Sequence, residues 1–297
     1  FNRINYIINK TKPDIIFHFA AQPIVSQGYI DSKNTFETNF NGTLNLLESI
    51  KKIKKNIFII IITSDKVYRN NVSDKILVED SPLGGICPYS SSKACVEIIS
   101  ETYSIMMKNK FLNTVRAGNV IGGGDWSENR ILPDIFRAYF ENKSLKIRNP
   151  KAVRPWSYVL DIIRGYVYAA ENILNSKDKS FKSFNFSSDM HFKSVNDMSK
   201  KILKILKNKM QITYDPIFIG EEAESIKLSN EKAKRELGWH PIYNQESMIR
   251  YTTEWYQKVI DGESPLIVSE KLLDRYLEDC EKFYNVYDFK RKGKVNA

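Results

Sequence analysis

No apolar run in this sequence is long enough to cross a bilayer. The longest, Ile57–Ile62, is six residues, whereas a spanning helix needs about 20, so no transmembrane helix is expected. Cysteine is scarce: Cys87, Cys95 and Cys280 make neither a CxxC pair nor an even-numbered framework. That argues against a disulfide scaffold and for a reducing, cytoplasmic setting. Histidine is equally sparse, and His18, His191 and His240 are too scattered to suggest a metal centre. Glycine is thinly used, and no GxGxxG element precedes Asp14. Residues 1–12 read as an amphipathic helix, with neither the apolar run nor the cleavage site of a signal peptide. The chain therefore reads as starting inside a longer pattern.

What is abundant is lysine, and the net charge is +10. Such an excess can serve nucleic acid or an anionic membrane. Here the lysines are spread over helix-like stretches such as 51–55 and 200–209, among many Ile and Asn. No RNA-binding signature, zinc-finger spacing or Arg-rich arm accompanies them, so neither partner is expected. With 42% hydrophobic and 27% charged residues in 297, the composition is that of a globular protein with a sizeable core.

Strand and helix patterns alternate through the first half, which predicts an α/β fold with a parallel sheet. Residues 14–19 read as a buried strand, 35–50 as a helix with Phe36, Phe40, Leu44, Leu47 and Ile50 on one face, and 56–62 as a second strand. Residues 69–88 are rich in Asn, Ser, Asp, Pro and Gly and predict a loop. A long helix is expected over 89–108, a strand over 111–120, a helix over 132–142 and a strand near 183–187. The tail from about 247 is helical and polar, and no internal repeat or low-complexity linker is present.

Tyr89 and Lys93 stand four apart, on one helix face, where an ammonium near a phenol lowers its pKa and makes it a usable base. Spacing alone is weak, because Tyr6/Lys10, Tyr29/Lys33 and Tyr139/Lys143 share it. Context distinguishes Tyr89. It follows the polar run Thr63-Ser64-Asp65-Lys66-Val67-Tyr68 at the end of a buried strand, then a Pro/Gly loop, Pro82-Leu83-Gly84-Gly85-Ile86-Cys87-Pro88. Open parallel sheets put their ligands at such strand ends. The plainer alternative is a capped strand end followed by a helix start, with Ser90, Ser91 and Ser92 serving as caps.

Longer strings carry a resemblance. His18-Phe19-Ala20-Ala21-Gln22-Pro23, Thr38-Asn39-Phe40-Asn41-Gly42-Thr43, residues 63–68 and 89–93 resemble, in order, landmarks of extended short-chain dehydrogenases/reductases. Pro82-Leu83-Gly84-Gly85, the segment from Arg116 through Gly122-Gly123-Gly124 to Asp125-Trp126, and Arg148-Asn149-Pro150-Lys151-Ala152-Val153-Arg154-Pro155-Trp156 resemble the CDP-glucose 4,6-dehydratase family. So do Glu222-Ala223, Lys227-Leu228 and Leu237-Gly238-Trp239-His240-Pro241. The resemblance runs from about residue 12 to residue 256.

It implies a Rossmann-like doubly wound parallel sheet whose first βα units are missing, with a smaller C-terminal α/β substrate lobe. Residues 1–122 would form the incomplete NAD-binding domain, and 123–297 mainly the nucleotide-sugar lobe, returning in part to the first. It also implies NAD as cofactor, a nucleotide sugar as substrate and a homodimer packed through helices 35–50 and 89–108. In that frame Tyr89 removes the proton from the sugar 4-hydroxyl, Lys93 holds the nicotinamide ribose and depresses the Tyr89 pKa, and Ser64 hydrogen-bonds the 4-oxygen. Asp65 is the acid on the departing 6-hydroxyl and Lys66 the base at C5, where dehydratases of dTDP-glucose have an Asp-Glu pair and epimerases have small residues. A neutral Lys66 amine requires burial or a nearby cation; a plain surface lysine is the alternative. Ala20, Ala21, Gln22, Asn39, Thr63 and Val120 would line the cofactor with Tyr89 and Lys93. Asn119, Arg130, Leu132, Pro133, Arg154 and Glu222 would contact the substrate, Arg154 through the diphosphate. The glycine cluster 122–124 reads as a substrate-side loop. An epimerase or reductase of the same superfamily, or a non-catalytic remnant, remains the alternative.

Overall fold

The structure is a computed structural model that describes residues 1–69, 75–107, 109–189, 193–214 and 225–293. His191, Glu222 and Ala223 lie outside these residues.

Helix α1 (Asn2–Thr11) closes on Lys12 in the left-handed conformation and leads into β1 (Ile15–His18). Short helices α2 (Val25–Ile30) and α3 (Ser32–Phe36) follow. The helix expected over 35–50 is continuous but not uniform: a π-helical turn, Glu37–Asn41, joins α3 to α4 (Gly42–Lys51). Then come β2 (Ile57–Ile62), a 3-10 turn over Asp65–Val67, and β3 (Ile76–Leu77), which lies inside the expected loop. The long helix is α5 (Pro88–Met106). The strand expected over 111–120 is broken at Gly118 into β4 (Lys110–Ala117) and β5 (Asn119–Ile121).

The C-terminal portion is built from α6 (Ile131–Phe140), β6 (Leu145–Ile147), β7 (Val153–Arg154) and β8 (Trp156–Tyr158). Next are α7 (Val159–Asn175), β9 (Lys182–Phe186), β10 (Lys193–Ser194) and α8 (Val195–Ile205). Last are β11 (Ile212–Tyr214), β12 (Lys227–Leu228), α9 (Glu231–Leu237), α10 (Gln245–Ile260) and α11 (Pro265–Gly293).

The main sheet has the order β1-β2-β4-β9 and is parallel throughout. Parallel strands need covered crossovers and are buried on both faces, and the alternation in β2 divides those faces. Ile57, Ile59 and Ile61 pack with Leu46, Leu47, Ile50, Val96 and Leu112 beneath α4 and α5. Phe58, Ile60 and Ile62 pack with Ile162, Tyr166, Phe184, Phe186 and Trp239 beneath α7 and α9. A separate core joins Ile121, Phe136, Ile147, Trp156, Met198, Tyr256 and Tyr276. Pairs β5-β8 and β6-β11 belong to that second body.

Asp161 on α7 ties the two together. Its carboxylate accepts from the amides of Ile242 (2.8 Å) and Tyr243 (3.2 Å) and from the Tyr276 hydroxyl (2.7 Å). The Trp239 indole donates to the Asp161 carbonyl at 3.0 Å, edge-on to Phe186. Trp239 is fully buried, so Trp239→Ala should cost about 3–5 kcal/mol. Urea denaturation of the two proteins measures it. A loss well under that range would mean the site collapses around the missing ring.

Candidate active site

The local sequence explains how Tyr89 comes to sit at the first turn of α5. Cys87 is the N-cap, bonded reciprocally with Ser90, and Pro88 takes the first helical position, where its missing amide costs nothing. Ser91 donates to the Gly85 carbonyl (3.0 Å) and Ser92 to that of Tyr89 (2.8 Å), so all three serines fasten the helix start. Gly85 is required there: a Cβ would stand 2.2 Å from the Ser91 nitrogen.

Across from this helix start, Thr63 and Ser64 follow β2. Ser64 caps the 3-10 turn by accepting from the Lys66 amide (3.2 Å), and its hydroxyl contacts Asp65 Oδ1 at 3.0 Å. The Tyr89 phenol hydrogen-bonds to Ser64. Ser64, Asp65, Lys66 and Tyr89 thus meet at one end of a cleft of about 860 Å³. Asn119, Val120, Arg130, Leu132, Pro133 and Arg154 line its other walls. The expected residues from both bodies therefore converge. Lys66 is half-buried at the cleft wall and Asp65 is fully buried.

Of the cofactor-side residues, Tyr89 and Val120 line this cleft, while Ala20, Ala21, Gln22, Asn39, Thr63 and Lys93 are not among its lining residues. Ala20 is exposed and Ala21 half-buried. Asn39 is buried, and its amide bonds the Gln22 backbone at both ends (2.7 and 3.1 Å) and Ser92 (2.9 Å). Gln22 in turn bonds Thr35 (2.8 Å) and the Ile24 amide (2.5 Å). Asn39 and Thr63 are struts, the latter donating to Glu97. They hold the loop and the strand end at which the cofactor contacts are expected. These residues fit the nicotinamide end of a dinucleotide: small side chains at 20 and 21, and an ammonium at 93. The chain has no GxGxxG turn to cradle a pyrophosphate. Among the described residues no cluster suited to a metal ion occurs.

The Lys93 ammonium donates to the Ile62 carbonyl at 2.9 Å. Burial pushes Tyr89 up to about 12, and what opposes burial is the Ser64 hydrogen bond and the Arg130 charge. Burial likewise pushes Lys93 down to about 8, against the Glu97 carboxylate. Arg130, the N-cap of α6, is the cation that lowers Tyr89. Asp125 holds Arg130 at 3.1 Å.

Sequence reasoning also missed cleft residues on β6 and beyond: Lys146, Arg148, Asn149 and Tyr256. Arg148 was visible as part of the string before Arg154. Tyr256, eight residues after Met248 on α10 and stacked on Phe136 at 3.9 Å, carried no signal of its own. The glycine cluster proves to be a junction as well as a loop. Gly122 lines the cleft, and a Cβ on Gly123 would stand 2.1 Å from the Trp255 ring.

The sequence comparisons define the class, that of the sugar-nucleotide dehydratases: the profile described as GDP-mannose 4,6 dehydratase matches residues 1–252. The chain belongs to that family. It is 34% identical to the CDP-glucose 4,6-dehydratase of Salmonella typhimurium, over 93% of this chain and 80% of the relative. In structure it resembles UDP-glucose 4-epimerase from Thermotoga maritima, determined with UDP-glucose (TM-score 0.78, 23% identity, 87% of this chain and 82% of the other). It also resembles dTDP-glucose 4,6-dehydratase from Bacillus anthracis in complex with NAD (TM-score 0.73, 24% identity, 86% and 76%). These two likenesses establish the fold.

His18, at the end of β1, gives a testable pH dependence. Thr43 donates its hydroxyl proton to the Asn39 carbonyl and so accepts from His18 Nε2 at 3.0 Å. Burial and then the Lys93 charge lower His18 from 6.5 to about 4. The unfolded chain therefore binds the extra proton first, and stability falls as pH drops from about 6.5 to about 4. The loss attributable to His18 should be no more than about 3–4 kcal/mol, and His18→Asn should flatten that part of the stability curve. An unchanged curve in the variant would assign the acid sensitivity elsewhere.

Proposed function

We propose that this protein converts a nucleotide-activated hexose, CDP-glucose in the first place, to the 4-keto-6-deoxy sugar nucleotide, with NAD as a cofactor restored in each turnover. The observation that carries the proposal is the meeting of Ser64, Asp65, Lys66 and Tyr89 at one end of a cleft. Arg130, Arg148 and Arg154 line the rest of it, guanidinium forks suited to phosphate oxygens. Identity to a CDP-glucose 4,6-dehydratase supports the choice of nucleotide.

Bound NAD would take hydride from C4 and return it to C6. Tyr89 accepts the 4-hydroxyl proton, helped by its hydrogen bond to Ser64 and by Arg130. The resulting C4 ketone makes the C5 proton acidic. Lys66 removes it, and the C6–O bond breaks as Asp65 protonates the leaving hydroxyl, giving water and a C5=C6 alkene conjugated with the ketone. Hydride addition at C6 and reprotonation at C5 complete the product. Elimination needs an acid and a base that a 4-epimerisation does not, and Asp65-Lys66 supplies both. The Lys93 ammonium would hold the ribose hydroxyls of the cofactor, and Leu132 and Pro133 would pack against the nucleotide.

The test is incubation of the full-length gene product with CDP-glucose and NAD, read by the alkali-induced absorbance of a 4-keto-6-deoxy sugar. No product with NAD bound would remove the CDP-glucose assignment. Lys66→Met should lower product formation by about 10²–10⁴-fold while reduced cofactor still accumulates through C4 oxidation. Full turnover in that variant would show that Lys66 is not the C5 base.

The protein is further proposed to act as a homodimer through α4 and α5. Ile98 and Ile105 lie seven residues apart on α5 and are 55% and 79% exposed, an apolar stripe suited to a helix pair from a second copy. Light scattering should give twice the chain mass, and Ile105→Glu should shift it to the monomer. A parent that is monomeric at all concentrations would overturn the dimer.

A further inference from the structure

Tyr89 and Lys93 are carried by α5, and the reacting end of β2 must be held against that helix to within a fraction of an ångström for proton transfer. The fastening between them is Glu97, one turn beyond Lys93 and 2% exposed. Its Oε1 accepts from the Thr63 hydroxyl and from Arg116 Nε (2.9 Å), and its Oε2 accepts from Thr114 Oγ1 (2.6 Å) and Arg116 Nη2 (2.8 Å). Thr63 is the residue immediately before Ser64. Arg116 continues outward to the Tyr68 hydroxyl (2.8 Å), the Glu79 carbonyl (2.9 Å) and Ser183 (3.0 Å). A buried ion pair is a poor device for stability alone, since desolvation offsets much of its attraction. This one stands where its hydrogen bonds reach the residue before Ser64 and its carboxylate lies four residues along the helix from Lys93.

We propose that Glu97 is a positioning residue for the reaction: through Thr63 it fixes the strand end that bears Ser64, and from four residues along α5 it sets its carboxylate on the helix face that carries the Lys93 ammonium. The proposal rests on the reading of Tyr89 and Lys93 as the oxidising pair.

The groups around Lys93 support it. On its own helix stand Tyr89 and Glu97; His18 faces it from the end of β1, Arg116 lies behind Glu97 on β4, and Asp65 sits in the turn after β2. Burial drives Lys93 toward the neutral amine, and Glu97 is the charge that opposes it. His18 adds to the downward push on a charged neighbour only when protonated, which burial prevents near neutral pH. Without Glu97, burial would act unopposed and the Arg116 charge would reinforce it.

The decisive experiment is Glu97→Gln in the full-length protein, followed by thermal stability and activity as functions of pH. In the parent, the folded amine titrates near 8 against 10.5 unfolded. The unfolded chain therefore binds more protons across that window, and stability contributed by this group rises with pH through it. In Glu97→Gln the rise should begin about one pH unit lower, and the activity limb that requires the ammonium should move to lower pH by the same amount. A variant that is less stable but keeps the parental onset and the parental activity profile would overturn the proposal and leave Glu97 a strut. If the single variant does not fold, Glu97→Gln/Arg116→Met removes both charges together, and an onset below the parental one is required of it. A shifted onset in a protein inactive on every sugar nucleotide would sustain the coupling of Glu97 to Lys93 and count against the assigned reaction instead.

Discussion

The Glu97–Arg116 ion pair is the constraint on which the arrangement of the site depends. It joins α5 to β4 directly, to the end of β2 through Thr63, and to β9 through Ser183. Removing one partner of such a pair leaves an uncompensated buried charge, at about 3–5 kcal/mol, which exceeds most single contacts in the core. The polar cluster also has a defined place on the sheet. Toward the amino ends of the strands, the face under α5 is filled by Ile57, Ile59 and Leu112. Toward the carboxyl ends the same face turns polar, with Thr63, Thr114 and Arg116. The apolar part holds the helix on the sheet and the polar part sets its register.

That register is what brings Tyr89 to Ser64. Parallel strands all finish at one end of the sheet, so every crossover delivers its loop to the same rim. The 3-10 turn after β2 and the capped start of α5 both occupy that rim. The second body closes over it from β5 to α6 and is held by close approaches in place of long side chains: Gly123 against Trp255, and the Asp161 carboxylate on the Ile242 and Tyr243 amides. Bulk at Gly123 would separate α10 from the loop that carries Asp125 and Arg130.

Much of this was legible in the sequence where a local signal coincided with a burial pattern. The run 57–62, the helix after Pro88 and the polar residues at 63–66 were read directly, because a buried parallel strand and a Pro-started helix have few alternatives. Helix α7 was not read. Its sequence, Val159 to Asn175, is rich in β-branched and aromatic residues and contains Gly165, so propensity opposes what the burial of Ile162, Tyr166, Ala169 and Ile173 enforces. The π-helical turn at 37–41 and the break at Gly118 were invisible for a similar reason, since each depends on a partner distant in sequence: Asn39 on Ser92, and Gly118 on Pro155. The catalytic candidates came from long strings matched in order, while Lys146, Arg148 and Tyr256 reach the cleft only through the folding of the second body.

The same burial acts in opposite chemical directions on the two residues that a four-residue spacing had coupled. It favours the neutral form of each, raising Tyr89 to about 12 and lowering Lys93 to about 8. A proton would not leave Tyr89 near neutral pH in those surroundings without further positive charge close by. Within this chain that charge is Arg130, held by Asp125 and contributed by the segment that closes over the rim. In the proposed reaction the base is therefore assembled from both bodies: α5 supplies the phenol, the turn after β2 the hydroxyl of Ser64, and the second body the cation. In that proposal the lysine one turn along the helix, tied back to Ile62 and balanced by Glu97, has a different task, which is to hold hydroxyl groups as a donor. Division of the work in this way explains why the ion pair behind Lys93 is buried while the one that holds Arg130 faces the cleft.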